Sequence, residues 1–344
     1  MSPALQIFLR PTGPWRMGAA NGKREETDRI FHSDMLYGAV CSAMASLGWL
    51  EEWLDATARQ DGEPAVRIGS LFPSVQGEAL APAPANLWPV AGMSRVRSGG
   101  ARMIPMQLMG ALAAGLGWNE ESWEVDGPSE CLVKRSGRGG RSLFRETVRS
   151  HGAVDRLGGE IAVHRTGCIE FGEDCGLWGL VEFAGTAAEL WTDRVEACIR
   201  LLADTGLGGE RTKGWGAFQI ERMRRGGKEE LLFGNMRRQG GDGNAADSGE
   251  TGYWLLSLYN PSAGDEVDWT RGSYTVLDRG GRVESPGGWG VEKRRLRMIA
   301  EGSVLATGKR PRGAAHDVAP AGFAHPVYRC GFAVGTEIPL RVNA

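Results

Sequence analysis

The sequence lacks a long hydrophobic run. No apolar segment approaches the roughly 20 residues that a membrane-spanning helix needs, and residues 1–10 do not combine a basic start with a long apolar stretch. We therefore expect neither a membrane helix nor a secretory signal. These absences predict a cytoplasmic protein with no membrane partner.

Closely paired cysteines are also missing. The six cysteines include no C-x-x-C pair, and the five histidines show no helix-face spacing. The sequence therefore has neither the common zinc pattern nor the common redox pattern. Several cysteines lie in apolar runs, which predicts buried, reduced thiols. We expect no bound metal and no cofactor.

A positive net charge is the third absence. The chain has 40 basic and 42 acidic residues, a net charge of −2 and a pI near 6.3. A surface for nucleic acid must then be local, while the acidic remainder is free to meet protein partners. Glycine is abundant instead, with 52 residues that lie mostly at the ends of apolar segments. The length of 344 residues predicts two domains.

Five of these glycines fall in a single loop, residues 206–216, which we call the glycine-rich loop. Arg211 and Lys213 add positive charge to it, and Trp215 adds an aromatic ring. Because the loop follows a helical pattern rather than opening one, it is neither a dinucleotide fingerprint nor a P-loop. Alone, such a loop is more often a simple turn. Backbone amides, cations and a ring together favour contact with nucleic acid.

The order of the predicted elements favours a ferredoxin-like unit. A strand at 4–10 precedes a helix that Ser33 or Asp34 can cap, and two short strands whose prolines suggest sheet edges follow it. A hairpin, a second helix and a last strand complete the order. These later elements are predicted at 66–73 and 78–84, at 166–171 with 177–183, at 187–203, and at 217–220.

The whole chain predicts an α+β fold with two ferredoxin-like (RRM-like) domains. Residues 1–223 form the first domain, with an insertion at about 90–160 in which 104–116 is predicted as a helix. Residues 224–250 have a linker composition that is typical of disordered chain. Residues 251–344 are mostly β with no long helix, so this second domain is degenerate; a hairpin is predicted there between 274–277 and 282–283.

Basic residues crowd one part of the insertion, from Lys134 to Arg149. Glu146 is the nearby acid, and glycines separate the cations. Two interpretations stay open for this arm: a solvated flexible loop, or an arginine-rich segment that orders on RNA with Phe144 as a wedge. The cations are Lys134, Arg135, Arg138, Arg141, Arg145 and Arg149.

Seven stretches resemble the RAMP proteins of CRISPR effector complexes, and most closely the fourth subunit of the type III-A Csm complex. They are Leu-Arg-Pro at 9–11 with Gly18, His-Ser-Asp-Met-Leu at 32–36 with Ala39, Ser-Leu-Phe-Pro at 70–73, Leu-Ala-Pro-Ala-Pro at 80–84, Ala-Val-Asp-Arg at 153–156, Gly-Leu-Gly-Gly-Glu-Arg at 206–211 with Gly214 and Gly216, and Met-Ile-Ala-Glu-Gly-Ser at 298–303. These stretches span nearly the whole chain, but the insertion has no counterpart in the resemblance.

The resemblance implies a non-catalytic subunit that holds the 5′ repeat-derived handle of the CRISPR RNA (crRNA). It also implies docking to the large polymerase (Palm-domain) subunit and to a backbone RAMP subunit, with target RNA met only indirectly. In that setting Asp34 either caps its helix or orients an arginine of the RNA-binding loops.

We predict sixteen RNA-contacting residues and no catalytic residue. The contacts are Arg10, Lys23, Arg24, His32, Ser33, Arg135, Arg138, Arg141, Phe144, Arg145, Arg156, Gly208, Gly209, Arg211, Lys213 and Trp215. One alternative is a metal-independent endoribonuclease that uses His32 as general acid or base. A third possibility is a module that binds only protein through its arginines.

Overall fold

The computed structural model describes residues 2–18, 22–88, 100–113, 119–135, 142–155, 158–234, 250–285 and 288–340. The helices in these ranges are α1 (Ser33–Ser46), α2 (Leu50–Ala56), α3 (Met106–Ala113), α4 (Ala187–Thr205) and α5 (Lys228–Phe233). The strands up to residue 234 are β1 (Pro3–Pro11), β2 (Val66–Ile68), β3 (Phe72–Val75), β4 (Glu78–Pro82), β5 (Met103–Pro105), β6 (Trp123–Asp126), β7 (Cys131–Lys134), β8 (Phe144–Val154), β9 (Ile161–Phe171), β10 (Cys175–Phe183) and β11 (Phe218–Gly227).

The described residues beyond 250 contribute ten strands and no helix. They are β12 (Thr251–Leu255), β13 (Val267–Ser273), β14 (Val276–Arg279), β15 (Arg282–Ser285), β16 (Gly288–Glu292), β17 (Leu296–Ile299), β18 (Val304–Thr307), β19 (Gly313–Asp317), β20 (Tyr328–Phe332) and β21 (Gly335–Pro339). The class is therefore mixed α+β with a predominance of sheet, which confirms the predicted class at that level.

A nine-stranded sheet dominates the part of the chain before residue 234. Its order is β11-β1-β10-β3-β4-β5-β7-β6, and β2 also pairs with β10. Along the chain, β1, α1, β10, α4 and β11 lie where strands and helices were predicted, but of the two middle strands in the predicted β-α-β-β-α-β order only β10 belongs to this sheet. The helices α1 and α4 pack against each other over this sheet.

Strand β1 is mostly apolar, with Gln6 buried and only Arg10 exposed, because both faces of the sheet are covered. Alternate side chains of a strand point to opposite faces. Leu5 and Ile7 join the core beneath α1 and α4, whereas Ala4 and Phe8 join a second core. That second core contains Trp254 and several other residues of β12, β18 and β21. The C-terminal strands thus cover the sheet face opposite the two long helices.

The C-terminal strands form one small sheet and three pairs. The sheet has the order β13-β18-β12-β21, and the pairs are β14-β17, β15-β16 and β19-β20. The predicted hairpin between 274–277 and 282–283 is therefore wrong, because β14 pairs with β17. In that register β14 lies against Met298 and Ile299, which are buried. The burial gained by pairing β14 with a distant strand outweighs the local tendency of the intervening glycines to form a hairpin turn.

The hairpin predicted between 166–171 and 177–183 is also wrong. Strand β10 lies inside the large sheet, where β1 takes one of its edges and β2 and β3 take the other. No edge of β10 is left for β9. Strand β9 pairs instead with β8, residue for residue from Phe144 with Phe171 to Val154 with Ile161.

The prolines did not mark sheet edges. Strands β3 and β4 lie between β10 and β5, with Pro73 opposite Leu177 and Pro82 opposite Met103. A proline lacks only its own N–H, so it fits an interior strand at a position that needs no donor from it. Likewise, the helix predicted at 104–116 begins as strand β5 and becomes α3 at Met106; residues 114–118 lie outside the described residues.

The predicted linker begins too early. Residues 224–227 complete β11 and residues 228–233 form α5, whose Leu231, Leu232 and Phe233 are buried. The charged composition of 224–227 suggested a linker, but the backbone of these residues pairs with β1. Their arginine side chains can stay exposed while the strand is ordered. The rest of the predicted linker, residues 235–249, lies outside the described residues.

All six cysteines are free, and five of them are buried, in line with the predicted reduced thiols. Burial raises the pKa of Cys131 and of Cys198 to about 12. Among the described residues, no cluster of three or more histidine, cysteine or acidic side chains could hold a metal ion. In the same residues no helix combines the length and the apolar character needed to cross a bilayer.

Candidate nucleic-acid interface

The glycine-rich loop is a closed structure whose shape depends on glycine. It leaves α4 at Gly206 and closes where the Leu207 N–H donates to the carbonyl of Gly216 at 3.0 Å. Gly216 has φ +75°, and a Cβ there would lie 1.8 Å from the Leu207 carbonyl oxygen. Only glycine fits this position. The tip is a 3-10 turn at Arg211–Lys213.

Two of the glycines accommodate the protein's own backbone rather than a free ligand. The Gly209 N–H donates to the carbonyl of Arg16 at 3.0 Å, and a Cβ on Gly208 would lie 2.4 Å from that same carbonyl oxygen. The N–H of Gly209 is therefore occupied, which corrects the expectation that it is open to phosphate. The Arg16 guanidinium extends the contact by donating to the carbonyl of Arg24 at 2.6 Å.

The hairpin of β8 and β9 packs on the same region. The Gly167 N–H of β9 donates to the Arg24 carbonyl at 2.9 Å, and a Cβ on Gly167 would lie 2.2 Å from the carbonyl oxygen of Glu25. The glycine-rich loop, residues 22–31 and this hairpin thus meet on one side of the molecule. We call them together the loop–hairpin surface.

Cations outnumber the carboxylates with which they pair on the loop–hairpin surface. Glu210 is shared by Lys213 at 2.6 Å and Arg24 at 3.3 Å, and Glu170 by Arg149 at 2.7 Å and Arg145 at 3.0 Å. Lys23 pairs with Glu26, Arg211 pairs with Glu284, and Arg165 is exposed. The described residues of the glycine-rich loop, of 22–31 and of the β8–β9 hairpin carry eight basic and eight acidic side chains. The surface is therefore balanced overall and is locally positive where two cations share Glu210 or Glu170.

The pKa values of the two shared carboxylates agree with these ion pairs. The hydrogen bond from Lys213, helped by Arg24, lowers the pKa of Glu210, and the bonds from Arg149 and Arg145 lower that of Glu170. Loss of hydration lowers the pKa of His164, and the positive charges of Arg24 and Lys213 lower it further. Ion pairs that are exposed contribute little stability, so a phosphate can compete for these cations at small cost.

The two predicted stacking rings are not open faces. Trp215 is buried between the ring of His151, 5.6 Å away, and the guanidinium of Arg149, 5.9 Å away. Phe144 is buried against Phe171 with ring centroids 6.0 Å apart. The prediction that these rings are exposed for bases is wrong, because the β8–β9 pairing places both in the core. The large apolar side chains that the hairpin exposes are aliphatic: Val148, Val154, Ile161 and Val163.

His32 lies in the interior and joins the two halves of the chain. Only 2% of its surface is exposed, Nδ1 is 2.9 Å from Oε1 of Glu301, and Nε2 is 2.8 Å from Oδ2 of Asp28. Burial by itself lowers its pKa, but Glu301 and Asp28 raise it to about 9. At neutral pH the ring is therefore an imidazolium that donates from both nitrogens. Ser33 beside it is buried too, and its Oγ accepts the Leu258 N–H at 3.0 Å.

Asp34 completes this buried group. It does not cap α1 with its side chain; Oδ1 accepts from Nη2 of Arg279 at 3.0 Å, and Oδ2 lies 3.2 Å from Nε of Arg329. Burial by itself raises the pKa of Asp34, but the two guanidinium groups hold it at about 2. Asp34 therefore orients arginines, but these lie in β14 and β20 rather than in the loops predicted to bind RNA. We call Asp28, His32, Asp34, Arg279, Glu301 and Arg329 the junction cluster.

The junction cluster argues against the two roles predicted for His32. A general acid or base must reach the reacting group, and both ring nitrogens of His32 are held by buried or half-buried carboxylates. His32 and Ser33 are likewise out of reach of RNA in this fold. The sequence could not reveal this because Glu301 and Arg279 lie far along the chain.

The other predicted contacts are dispersed. Arg10 is exposed at the end of β1, where its guanidinium donates to the side chain of Gln219 at 2.5 Å. Arg135 is exposed after β7, and its N–H donates to the carbonyl of Ser122 at 2.8 Å. Arg138, Arg141 and Arg156 lie outside the described residues.

The predicted arginine-rich arm is partly regular structure. Of its ten described residues, Lys134 ends β7 and 144–149 begin β8, while 136–141 lie outside the described residues. The composition of 134–149 did not predict strand β8 because it does not include Glu170 of β9. The Glu170 carboxylate neutralises Arg145 and Arg149. The sequence analysis also missed Arg16 and Arg165. The alternating pattern of β8 and β9 was the available signal for Arg165.

Comparison with known proteins gives a matching family and a matching fold. Residues 248–338 match the family described as the CRISPR Csm4 C-terminal domain. A chain of a crystallised Csm3–Csm4 subcomplex from the type III-A CRISPR-Cas interference complex is 16% identical with a TM-score of 0.63. A chain of a Csm1–Csm4 cassette with cA4 is 15% identical with a TM-score of 0.58.

Both superpositions cover 99% of this chain and 100% of the other chain. At such low identity they show the fold alone. Among curated proteins, none matches this sequence.

Proposed function

We propose that this chain is a Csm4-like RAMP protein and a non-catalytic RNA-binding subunit of a type III Csm complex in antiviral defence; the family match at 248–338 and the fold support this. In this proposal it holds the 5′ repeat handle of crRNA in the cytoplasm and meets target RNA only indirectly. The observation that carries the proposal is that the glycine-rich loop, residues 22–31 and the β8–β9 hairpin meet on one surface, where two cations share Glu210 and two share Glu170.

The domain division belongs to the proposal as well. We take residues 1–223, extended to the end of α5, as the first RAMP domain and residues 251–344 as a degenerate second one. The first supplies the loop–hairpin surface, and the second covers the opposite sheet face through the second core. This leaves the loop–hairpin surface free for RNA while the rest of the surface is available for protein.

Two protein partners are proposed. The solved relatives are titled as a Csm1–Csm4 cassette and a Csm3–Csm4 subcomplex. We infer that this chain docks the corresponding large polymerase subunit and a backbone RAMP subunit. The slightly acidic net charge of this chain agrees with a surface that mostly meets protein.

The test is binding of repeat-handle RNA to the full chain over a range of salt concentrations. We expect Arg211→Ala with Lys213→Ala to weaken binding and to flatten the log–log salt dependence by about one unit for each phosphate that the loop no longer neutralises. The matched control is Arg59→Ala, since Arg59 also pairs with exposed acids but lies after α2. Unchanged affinity and slope in a double variant that melts normally would contradict the RNA role of the loop.

The same RNA separates the rival functions, in the binding assay and in a cleavage assay. A module that docks only protein should show no steep salt dependence toward RNA. An endoribonuclease should cut repeat RNA in the presence of a chelator and lose that activity in His32→Ala. We expect no specific cleavage by the wild-type chain, because His32 is held in the junction cluster.

A further inference from the structure

Two aromatic side chains of the C-terminal half are exposed and in contact with each other. Trp269 of β13 and Tyr274, the residue after β13, have ring centroids 5.2 Å apart in an edge-to-face arrangement. Among the side chains that the structure describes, all other Trp, Phe and Tyr rings are buried or half-buried. Val276, which begins β14, is exposed as well. We call Trp269, Tyr274 and Val276 the aromatic patch.

The backbone of β13 explains why these side chains are exposed. Strand β13 is an edge strand of the small C-terminal sheet, and its pairing with β18 shifts between Asp268 and Ser273. Over that interval β13 advances five residues while β18 advances two, from Ala306 to Val304, so β13 bulges. A bulge changes the direction in which side chains leave the sheet. Residues 268–271 are all exposed.

The residue types of the aromatic patch are those that contribute most to protein–protein binding. Single exposed apolar side chains are common on any protein surface, but here two contacting rings lie beside an exposed valine. Trp, Tyr and Arg dominate the binding energy of interfaces, and Arg271 lies on the same bulge, between the two rings in the sequence. Because the rings already restrict each other, less side-chain entropy is lost when a partner covers them.

The charges around the aromatic patch favour a protein partner over RNA. From residue 266 to residue 278 the chain carries three exposed acids and one exposed cation. Asp268, one of these acids, accepts from the N–H and the hydroxyl of Thr270 and has no cation partner among the described residues. The cations, in contrast, all have acidic partners. The pairs are Arg271 with Glu250, Lys309 with Glu266 at 3.9 Å, and Arg297 with Asp278 at 3.4 Å.

We propose that the aromatic patch is the docking site of a protein partner that presents an apolar pocket to Trp269 and a cation to Asp268. RNA suits the patch less well, because phosphate needs cations that are not already paired with acids. A second copy of this chain suits it less well too, since a symmetric contact would bring the acidic surplus against itself. The identity of the partner rests on the proposed function: it is the large polymerase subunit or the backbone RAMP subunit.

The experiment measures the affinity of the nuclease-treated full chain for each of these two subunits separately. For Trp269→Ala we expect at least tenfold weaker binding to one subunit and unchanged binding to the other, because one patch serves one interface. Leu190→Ala is the matched control, since Leu190 is an exposed apolar side chain of α4. Thermal midpoints close to that of the wild type establish that both variants are folded.

Asp268→Lys tests the charge that we assign to the partner. We expect slower association with the same subunit, and a smaller difference from the wild type at high salt, because two cations then repel each other across the interface. Asp204→Lys is the matched control. Asp204 is an exposed acid of α4 that also lacks a cation partner in the described part of the chain.

The outcomes distinguish failure of this proposal from failure of the proposed function. A wild-type chain that binds neither subunit would contradict the proposed partners and this docking site together. If the wild type binds but folded Trp269→Ala binds equally well, or loses affinity for both subunits alike, only the docking site is overturned. Weaker binding of repeat-handle RNA by Trp269→Ala would assign the patch to RNA instead. A wild-type dimer that Trp269→Ala dissociates would assign it to a second copy.

Discussion

The loop–hairpin surface and the junction cluster contain the same residue types in opposite settings. On the surface, exposed arginines share carboxylates with other cations. In the junction cluster, His32 lies between two carboxylates and Asp34 between two guanidinium groups, and all of these side chains except Asp28 are buried. Surface pairs contribute little to stability and exchange easily, whereas a buried charge that loses its partner is strongly destabilising. The first setting suits RNA binding, and the second holds the fold together.

Breaking the junction cluster should have the largest effect. Asp34→Ala leaves Arg279 and Arg329 buried without their carboxylate, so we expect the free energy of unfolding to fall by about 3 to 5 kcal/mol. Urea unfolding measures this directly. The matched control is Asp55→Ala, an exposed partner of Arg59, for which we expect less than about 1 kcal/mol. Equal losses in the two variants would erase the contrast between buried and exposed pairs.

The pH dependence of stability should report His32. Its pKa is about 9 in the folded chain and near 6.5 when unfolded, so its contribution is fully present below pH 6.5 and is lost as pH rises through 9. We expect a loss of about 2 kcal/mol between pH 5 and pH 8 from this group.

Unfolding curves of the wild type and of His32→Gln at several pH values isolate the histidine contribution. Stopping at pH 8 limits the contribution of the buried thiols, whose raised pKa values act in the same direction. The difference between the two proteins should shrink as pH rises. A difference that is independent of pH would show that His32 does not carry the charge that the junction cluster assigns to it.

Changing the surface should affect RNA rather than stability. Glu170→Gln removes the carboxylate that Arg145 and Arg149 share, which frees both cations for phosphate. We expect repeat-handle RNA to bind about two- to fivefold more tightly, the equivalent of roughly 0.5 to 1 kcal/mol. Glu292→Gln, which removes an exposed acid of β16, is the control. Weaker or unchanged RNA binding in Glu170→Gln would remove β8 and β9 from the proposed interface.

Local patterns in the sequence were enough to identify the two long helices and most of the first-half strands, but not the short helices α2 and α5. Apolar residues at helical spacing predicted α1 and α4, and the glycine density of 206–216 predicted a tight loop before the last strand of the large sheet. These features depend on neighbours within a few residues. The same holds for the mostly β character of the described residues beyond 250.

Tertiary structure alone decided which strands pair and which charges are free. The partner of β9 is β8 rather than β10 because both edges of β10 are taken by distant strands. Trp215 is buried and His32 is charged for the same kind of reason: their neighbours, His151 and Glu301, come from remote parts of the chain. Composition determines how much charge and apolar surface a segment has. Only long-range packing determines whether that charge meets water or a carboxylate.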